Sequence, residues 1–373
     1  MNTVGAPSLR ILVLGQKPPP YHGSNVMAEN LCMALHLLGH TVCFVDKSFS
    51  KELTEVRKPS VQKILRVPVL VLEFLRTIHR YRPNLCVYFL SNSAGSFLVD
   101  ALLLMLLRWY DLPYILRFGA KGFGNLADRH LFWLYTIKIA LKGSIGGIVK
   151  AECLKSDVNR FIPNHRLVPV PNCIRESQAI HKTSKNNGIP KVLFLSNLMP
   201  AKGPMQFLKA AKIVLGQFKD VRFIMAGAKW RDSFQNQLIA FIEKHNLKTF
   251  VELRGGIYGE DKDRLFSESH VFVFPTFDET FGLVNIEAMQ AGLPVISSPE
   301  GAIPEIIQHG VTGFIVDPSR PDHIARQILF LLHHPEIREE MGRIGRLRYL
   351  QKFSFPAYVG HWERILALLS PQL

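Results

Sequence analysis

Cysteine is scarce and scattered. The five thiols, Cys32, Cys43, Cys86, Cys153 and Cys173, form no Cys-x-x-Cys pair and have no clustered histidines. That pattern excludes a disulfide framework, argues against a zinc site, and fits the reduced thiols of a cytoplasmic protein. The N-terminal Met1–Arg10 lacks the basic start and long apolar core of a signal peptide, so secretion is not expected. Long apolar runs are missing too. The most apolar stretch, FLVDALLLMLLRWY at 97–110, is interrupted by Asp100 and Arg108 and is too short to span hydrocarbon, which predicts a buried helix instead. No G-x-G-x-x-G follows the first apolar run, and there is no P-loop, so dinucleotide oxidoreduction and P-loop hydrolysis lose their main support. No tandem repeat is visible.

Acidic residues are outnumbered, 30 against 45 Lys and Arg, for a net charge of +15. The imbalance is uneven: within 1–180 the basic residues exceed the acidic by 11, leaving 4 for the remainder. A basic first half suits an anionic membrane surface, nucleic acid or a phosphorylated ligand. The membrane is favoured and nucleic acid is not expected, because residues 57–82 interleave Arg57, Lys58, Lys63, Arg66, Arg76 and Arg80 with aliphatic residues and Phe74, as a surface-binding helix would. Pro68 is expected to break or kink that helix.

What is present is apolar material for two cores. With 47% hydrophobic residues over 373 positions, the chain is too apolar for disorder and too long for a single small core. Short apolar runs at 9–14, 41–45, 85–90, 114–118, 147–149 and 167–170 alternate with helical stretches, the rhythm of a doubly wound parallel sheet. The first loop carries three successive prolines and ends at His22 and Gly23; a helix follows, stopped by Gly39. Residues 181–190, HKTSKNNGIP, lose apolar character as a linker does. Beyond them the pattern restarts, with strands at 191–196, 221–226, 250–253, 271–274, 294–297 and 314–316. The expected organisation is therefore α/β: a Rossmann-like domain at 1–180, a linker at 181–190, a second Rossmann-like domain at 191–352, and a closing helix from 353 to 373. Two doubly wound domains in series are expected to bind a ligand in the cleft between their strand ends.

One segment carries the chemistry. FPTFDETFGLVNIEAMQAGLPVISSPEGAIPEII, 274–307, holds Glu279 in the loop after a strand and Glu287 within the helix that begins near Leu283. A loop leading into a helix N-terminus offers free amides and positive dipole to a diphosphate, and Gly282 lets backbone approach it closely. Carboxylates beside such a site hydrogen-bond sugar and ribose hydroxyls. A retaining glycosidase needs two carboxyls about 5 Å apart across one bond, and these two belong to different ends of a ligand. Asp261-Lys262-Asp263 looks like a metal-binding DxD, but it opens a charged helix and reads as surface charge.

In Glu279, Phe281, Gly282, Glu287, Ala288, Gly292 and Pro294 the segment resembles the signature of glycosyltransferase family 4, E-x-F-G-x-x-x-x-E-A-x-x-x-G-x-P. Pro18–Gly23, PNCI at 171–174, FLSNLMPAKG at 194–203 and GVTGFIVDP at 310–318 keep family order, and FSFPAYVGHWERIL resembles the helix that crosses back to the first domain. The resemblance implies the GT-B fold, two Rossmann-like domains facing across a cleft, and a retaining, metal-independent hexosyltransferase with no cofactor beyond its nucleotide-sugar substrate, a UDP-sugar being favoured. It implies that Lys202 contacts the donor diphosphate, that Gly282 and Leu283 offer it amides, that Glu287 binds ribose and that Glu279 faces the transferred sugar. Asn197, Phe281 and, from the first domain, Gly23 complete the expected donor contacts. The expected acceptor is a lipid-linked saccharide of surface polysaccharide or lipopolysaccharide assembly, met at the cytoplasmic face of the plasma membrane.

Two departures stand out. Asn197 occupies a place where the family has arginine, which shifts phosphate binding onto Lys202. In LRFGAKGFG at 116–124, Phe118 stands at the apparent place of a histidine, with Arg117 or Lys121 as candidates to compensate. These departures motivate two alternatives: a catalytically silent sugar-nucleotide-binding protein of an assembly complex, and a nucleotide-sugar epimerase of the same fold.

Overall fold

The computed structural model describes residues 8–17, 23–49, 61–177 and 188–369, with 23–24 and 61–64 by backbone alone. The first part runs β1 (Arg10–Gly15), α1 (Gly23–Leu37), β2 (Thr41–Asp46), α2 (Val61–Tyr81), β3 (Leu85–Leu90), α3 (Ala94–Trp109), β4 (Tyr114–Phe118), α4 (Phe123–Asp128), α5 (Leu131–Leu141), β5 (Gly146–Val149) and β6 (Leu167–Pro169). There follow β7 (Lys191–Leu195), α6 (Pro204–Leu215), β8 (Arg222–Ala226), α7 (Asp232–Lys244), β9 (Val251–Arg254), α8 (Gly259–Ser267), β10 (Val271–Phe274), α9 (Leu283–Gln290), β11 (Val295–Ser297), α10 (Ile303–Ile306), β12 (Gly313–Ile315), α11 (Pro321–His333), α12 (Pro335–Lys352) and α13 (Phe355–Leu369). The observed strands sit within a residue or so of the apolar runs that announced them. Buried parallel strands are continuous apolar segments, and turn residues end them sharply.

By contacts the chain forms two compact units. One holds the described residues up to Cys173 together with α13, and the other is Ile174–Ser354. The changeover falls ahead of the linker expected at 181–190, of which 181–187 lie outside the described residues.

In the first unit six parallel strands order as β2-β1-β3-β4-β5-β6. Alternate residues serve opposite faces, as a strand's period of two requires. Leu12, Leu14, Cys86 and Tyr88 pack against α2, α3 and α5, while Ile11, Val13, Leu85 and Val87 pack against α1 and α13. Two expectations about these helices need correcting. Helix α2 continues through Pro68, an exposed position, so the expected break does not occur. Helix α3, expected to be buried, buries only Phe97, Asp100, Ala101, Leu103, Leu104 and Leu107; Leu98, Leu102, Met105 and Trp109 are exposed. A helix that is apolar all round has no polar face to betray which side meets water.

The second unit has its own six parallel strands, ordered β12-β11-β10-β7-β8-β9. Read outward from β7, the chain first builds β8 and β9 on one side, then returns to build β10, β11 and β12 on the other. The order therefore reverses between β7 and β10, and a crevice opens there at the carboxyl ends of the strands. Beneath it Phe194 of β7 lies 6.4 Å from Phe274 of β10 and 5.6 Å from Phe207 of α6, which in turn meets Phe223 of β8 edge-on at 5.7 Å. Each such ring pair adds about 0.5–1.5 kcal/mol beyond area burial. The two strands that launch the crevice loops thus stand on one aromatic floor.

Candidate functional site

The loop after β7 closes in a 3-10 turn, Pro200–Lys202, and the next residue, Gly203, adopts φ 78° before α6 begins. A side chain there would overlap the carbonyl oxygen of Pro275, so only glycine lets this loop touch the loop after β10. The two loops are then joined: Phe277 N donates to Ala201 O at 2.7 Å, and Thr276 Oγ1 donates to the same oxygen at 3.1 Å. Ser298 Oγ donates to Thr276 O at 2.6 Å, tying in the end of β11.

This seam brings Lys202 and Glu279, 77 residues apart in sequence, into one cluster. Lys202 Nζ lies 3.0 Å from Glu279 Oε2 and donates to Asp278 O at 2.6 Å. Glu279 Oε1 accepts from the amides of Thr280 at 2.8 Å and Phe281 at 3.3 Å, so the carboxylate is held from both sides. Both charged side chains are 22% exposed, dry enough to strengthen their fields yet open to a ligand.

Gly282 follows with φ 85°, turning the chain into α9. A side chain at Gly282 would collide with Asn285 Nδ2 at 2.6 Å. Phe281 is buried and meets Phe353 edge-on at 6.3 Å, which anchors the turn from behind. Leu283 is the first residue of α9, and the leading amides of a helix have no acceptor within it. Those amides, the helix dipole and Lys202 make a positive cradle at the switch point, suited to a diphosphate.

Glu287 lies further along α9 and accepts from Lys262 Nζ of α8 at 2.7 Å. Burial works against the charge of Lys262, but the charge and hydrogen bond of Glu287 outweigh it and leave the lysine above its ordinary range. The pair holds the Glu287 carboxylate in place with its other oxygen left to accept. Asp263, the other end of the apparent DxD, accepts from Ser177 Oγ at 2.6 Å. Lys262 and Asp263 are therefore engaged within the unit, and Lys262 is a site residue that no local sequence signal reveals, because its partner lies 25 residues away. Asn285 was missed as well. It is fully buried beside Gly282, and neither polar atom of its amide has a partner among the described residues.

The remaining expected residues stand apart. Asn197 is exposed in the loop after β7, its carbonyl accepting from Met199 N at 2.7 Å. Gly23 opens α1 in the first unit, and the loop before it, 18–22 with His22, lies outside the described residues. Phe118 is buried on β4 and meets Phe123 edge-on at 5.2 Å. Arg117, one candidate to compensate for it, is sealed in the core. It is stacked over the rings of Phe89 at 5.4 Å and Tyr358 at 5.7 Å, and it donates to Asn172 Oδ1 at 3.0 Å. Arg117 is thus a packing residue that seats α13 on the first unit, and Asn172 is its buried partner. Lys121 is half-buried in the loop, its carbonyl accepting from Asn92 Nδ2 at 2.8 Å.

The family described as glycosyl transferases group 1 matches residues 176–348, nearly the whole of the second unit. Spore coat protein SA of Bacillus subtilis is 33% identical over 181 residues, 47% of this chain and 46% of that protein. The chain thus spans about half the length of the curated relatives that head the comparison. Across nearly the whole chain the fold is that of GT-B glycosyltransferases. A glycosyltransferase from Rickettsia africae superposes with a TM-score of 0.77 at 18% identity, covering 96% of this chain and 97% of that one. HepE from Anabaena, solved with UDP and glucose, does so with a TM-score of 0.70 at 18% identity, covering 97% of this chain and all of the other.

Proposed function

We propose that this chain is a retaining, metal-independent glycosyltransferase that moves a hexose from a nucleoside-diphosphate sugar, most readily a UDP-sugar, to a saccharide acceptor. The observation that carries the reading is the meeting of Lys202 and Glu279 at 3.0 Å beside the left-handed turn at Gly282, at the point where strand order reverses. The group 1 match over the same unit supports it. In the proposed step an acceptor hydroxyl oxygen bonds to the anomeric carbon as the bond from that carbon to the diphosphate oxygen breaks. The hydroxyl proton passes to a donor phosphate oxygen on the leaving-group side. Charge then builds on the leaving nucleoside diphosphate, and Lys202 with the first amides of α9 stabilises it. Such prearranged donors contribute about 2.7–4 kcal/mol each when charge develops against them. Glu279 faces the sugar, Glu287 holds ribose hydroxyls, and Lys262 keeps the Glu287 carboxylate in place.

The acceptor in this proposal is a lipid-linked saccharide of surface polysaccharide or lipopolysaccharide synthesis, reached by peripheral binding at the cytoplasmic face of the membrane. Among the described residues no helix is long and apolar enough to cross a bilayer. A panel of UDP-, GDP- and ADP-sugars tests the donor side, because a ligand that binds only the folded state raises its melting temperature. Stabilisation by one nucleotide class, lost in Lys202→Ala, is expected; stabilisation by none would end the reading. The burial of Phe118 and Arg117 favours one second reading, a donor-binding protein without turnover. Tight donor binding with neither transfer nor donor hydrolysis would select it.

A further inference from the structure

The outward side of the first unit's α2, α3 and α5 is built unlike a solvated surface. These three helices cover one face of the sheet and share one core. They lie side by side: His79 at the end of α2 meets Tyr110, just past α3, edge-on at 5.3 Å, and Arg108 Nη1 of α3 donates to Ile139 O of α5 at 3.1 Å. Each carries an apolar stripe on the side away from that core. On α3 it is Leu98, Leu102, Met105 and Trp109, at the four-three-four spacing of a single helix face, with no charged residue in the stripe. On α5 it is Leu131, Phe132, Tyr135 and Ile139. On α2 it is Leu65, Val69 and Leu72, continued in the same line by Arg76 and Arg80. Trp109 is 83% exposed, a large cost in water for a ring that buries readily elsewhere.

The charge around the patch selects its occupant. Exposed cations on these helices are Arg66, Arg76, Arg80, Arg108 and Lys138, with Lys142 just beyond α5. Against them stand Glu73, the one exposed carboxylate among the described residues of the three helices, and Asp111 just beyond α3; Asp100, the other acid there, is buried in an ion pair. A second copy of this chain would oppose like charge to like charge across such a face. A bilayer bearing anionic headgroups satisfies every part of it. The cations meet phosphate, while tryptophan, tyrosine and the aliphatic stripe enter the headgroup and acyl boundary.

We infer that the joint outer face of α2, α3 and α5 is the docking surface of this chain for an anionic lipid bilayer, with Trp109, Phe132 and Tyr135 entering the interface and the arginines of α2 gripping headgroups. This rests on the membrane-facing part of the function proposed above and not on its transfer chemistry. It also widens the contact from the single helix that the sequence pattern suggested to a three-helix face.

The test is co-sedimentation of the full chain with vesicles of phosphatidylcholine containing phosphatidylglycerol, with tryptophan emission recorded on binding. Wild type is expected to partition onto these vesicles and not onto pure phosphatidylcholine, with a blue shift that disappears in Trp109→Phe. Arg76→Glu with Arg80→Glu, and separately Met105→Gln with Trp109→Gln and Phe132→Gln, are each expected to weaken partitioning roughly tenfold or more. Thermal stabilisation of either variant by the donor nucleotide is expected to match wild type, which separates lost docking from lost folding or lost donor binding. Partitioning unchanged in both variants would leave a membrane protein but overturn this face. Partitioning that depends on the arginines alone, without a Trp109 shift, would overturn insertion. No partitioning of wild type, or a concentration-dependent dimer that the Met105, Trp109 and Phe132 substitutions dissociate, would overturn the proposal in favour of no docking or of a second copy.

Discussion

Each unit holds a lysine against a carboxylate at a strand's carboxyl end, and the two pairs stand in opposite relation to water. In the first unit Lys47, just past β2, reaches Asp100 of α3 at 2.6 Å with side chains only 4% and 2% exposed. Tyr88 OH donates to the same carboxylate oxygen at 2.8 Å, and Ser91 N donates to the other at 2.7 Å. Burial pushes Lys47 below the ordinary lysine range despite the opposing pull of Asp100. Removing that lysine from water therefore costs more than its partner returns, and what the pair supplies is position: it clamps the end of β2, the end of β3 and α3 together. In the second unit Lys202 and Glu279 keep 22% of their surfaces and are joined to loops rather than to core. The same two groups are scaffold where they are sealed and, in the function proposed here, exchangeable ligand-binding groups where a ligand can replace one partner.

The comparison breaks first at the sealed pair. Asp100→Ala leaves Lys47 buried without a counter-charge and is expected to cost about 3–5 kcal/mol of stability, read as a lowered urea midpoint. Lys47→Met combined with Asp100→Leu should restore much of that loss. A single variant as stable as wild type would show that water reaches the pair.

Next comes the open pair, where the loss should fall on rate and not on folding. Lys202→Ala is expected to lower turnover by about a hundred- to a thousandfold. Its melting temperature without ligand should stay close to wild type, because the pair is partly open to water and joined to loops, and such pairs contribute about 1 kcal/mol or less. Unfolding of this variant, or full activity, would make Lys202 a scaffold residue like Lys47.

A smaller effect is expected at Lys262, whose ion pair with Glu287 is as open as that of Lys202, with side chains 26% and 18% exposed. Lys262→Met should weaken nucleotide binding by about tenfold, the scale of one charged hydrogen bond lost, without changing nucleotide preference. Calorimetric titration reads it directly. Smallest of all is the exposed pair Lys229 with Asp232, 2.7 Å apart on α7 and its approach. Removing both should move stability by no more than about 0.5 kcal/mol, and a larger change would mean that exposure is a poor guide to these pairs.

Much of the fold was legible because buried parallel strands advertise themselves. ILVL, LCVYFL and VFVF are continuous apolar runs closed by turn residues, and each became a central strand. The spacing of Glu279, Gly282 and Glu287 likewise marked a loop after a strand, a turn and a helix. What could not be read was anything that depends on two distant segments meeting. Lys202 finds Glu279, and Lys262 finds Glu287, only once the sheet order is known. Asp100 looked like a flaw in an apolar run and is instead a buried partner of Lys47, whereas Arg117 looked available and is walled in by Phe89 and Tyr358. The outer stripe of α3 was hidden for another reason: its residues are as apolar as its core face, so periodicity carried no sign of which side meets water.

Titration of UDP into the purified protein with excess EDTA tests the central claim most directly. The account predicts saturable binding without any divalent ion and a loss of at least about tenfold in affinity in Lys202→Ala. Binding that appears only when magnesium or manganese is added, or that is indifferent to Lys202, would contradict it.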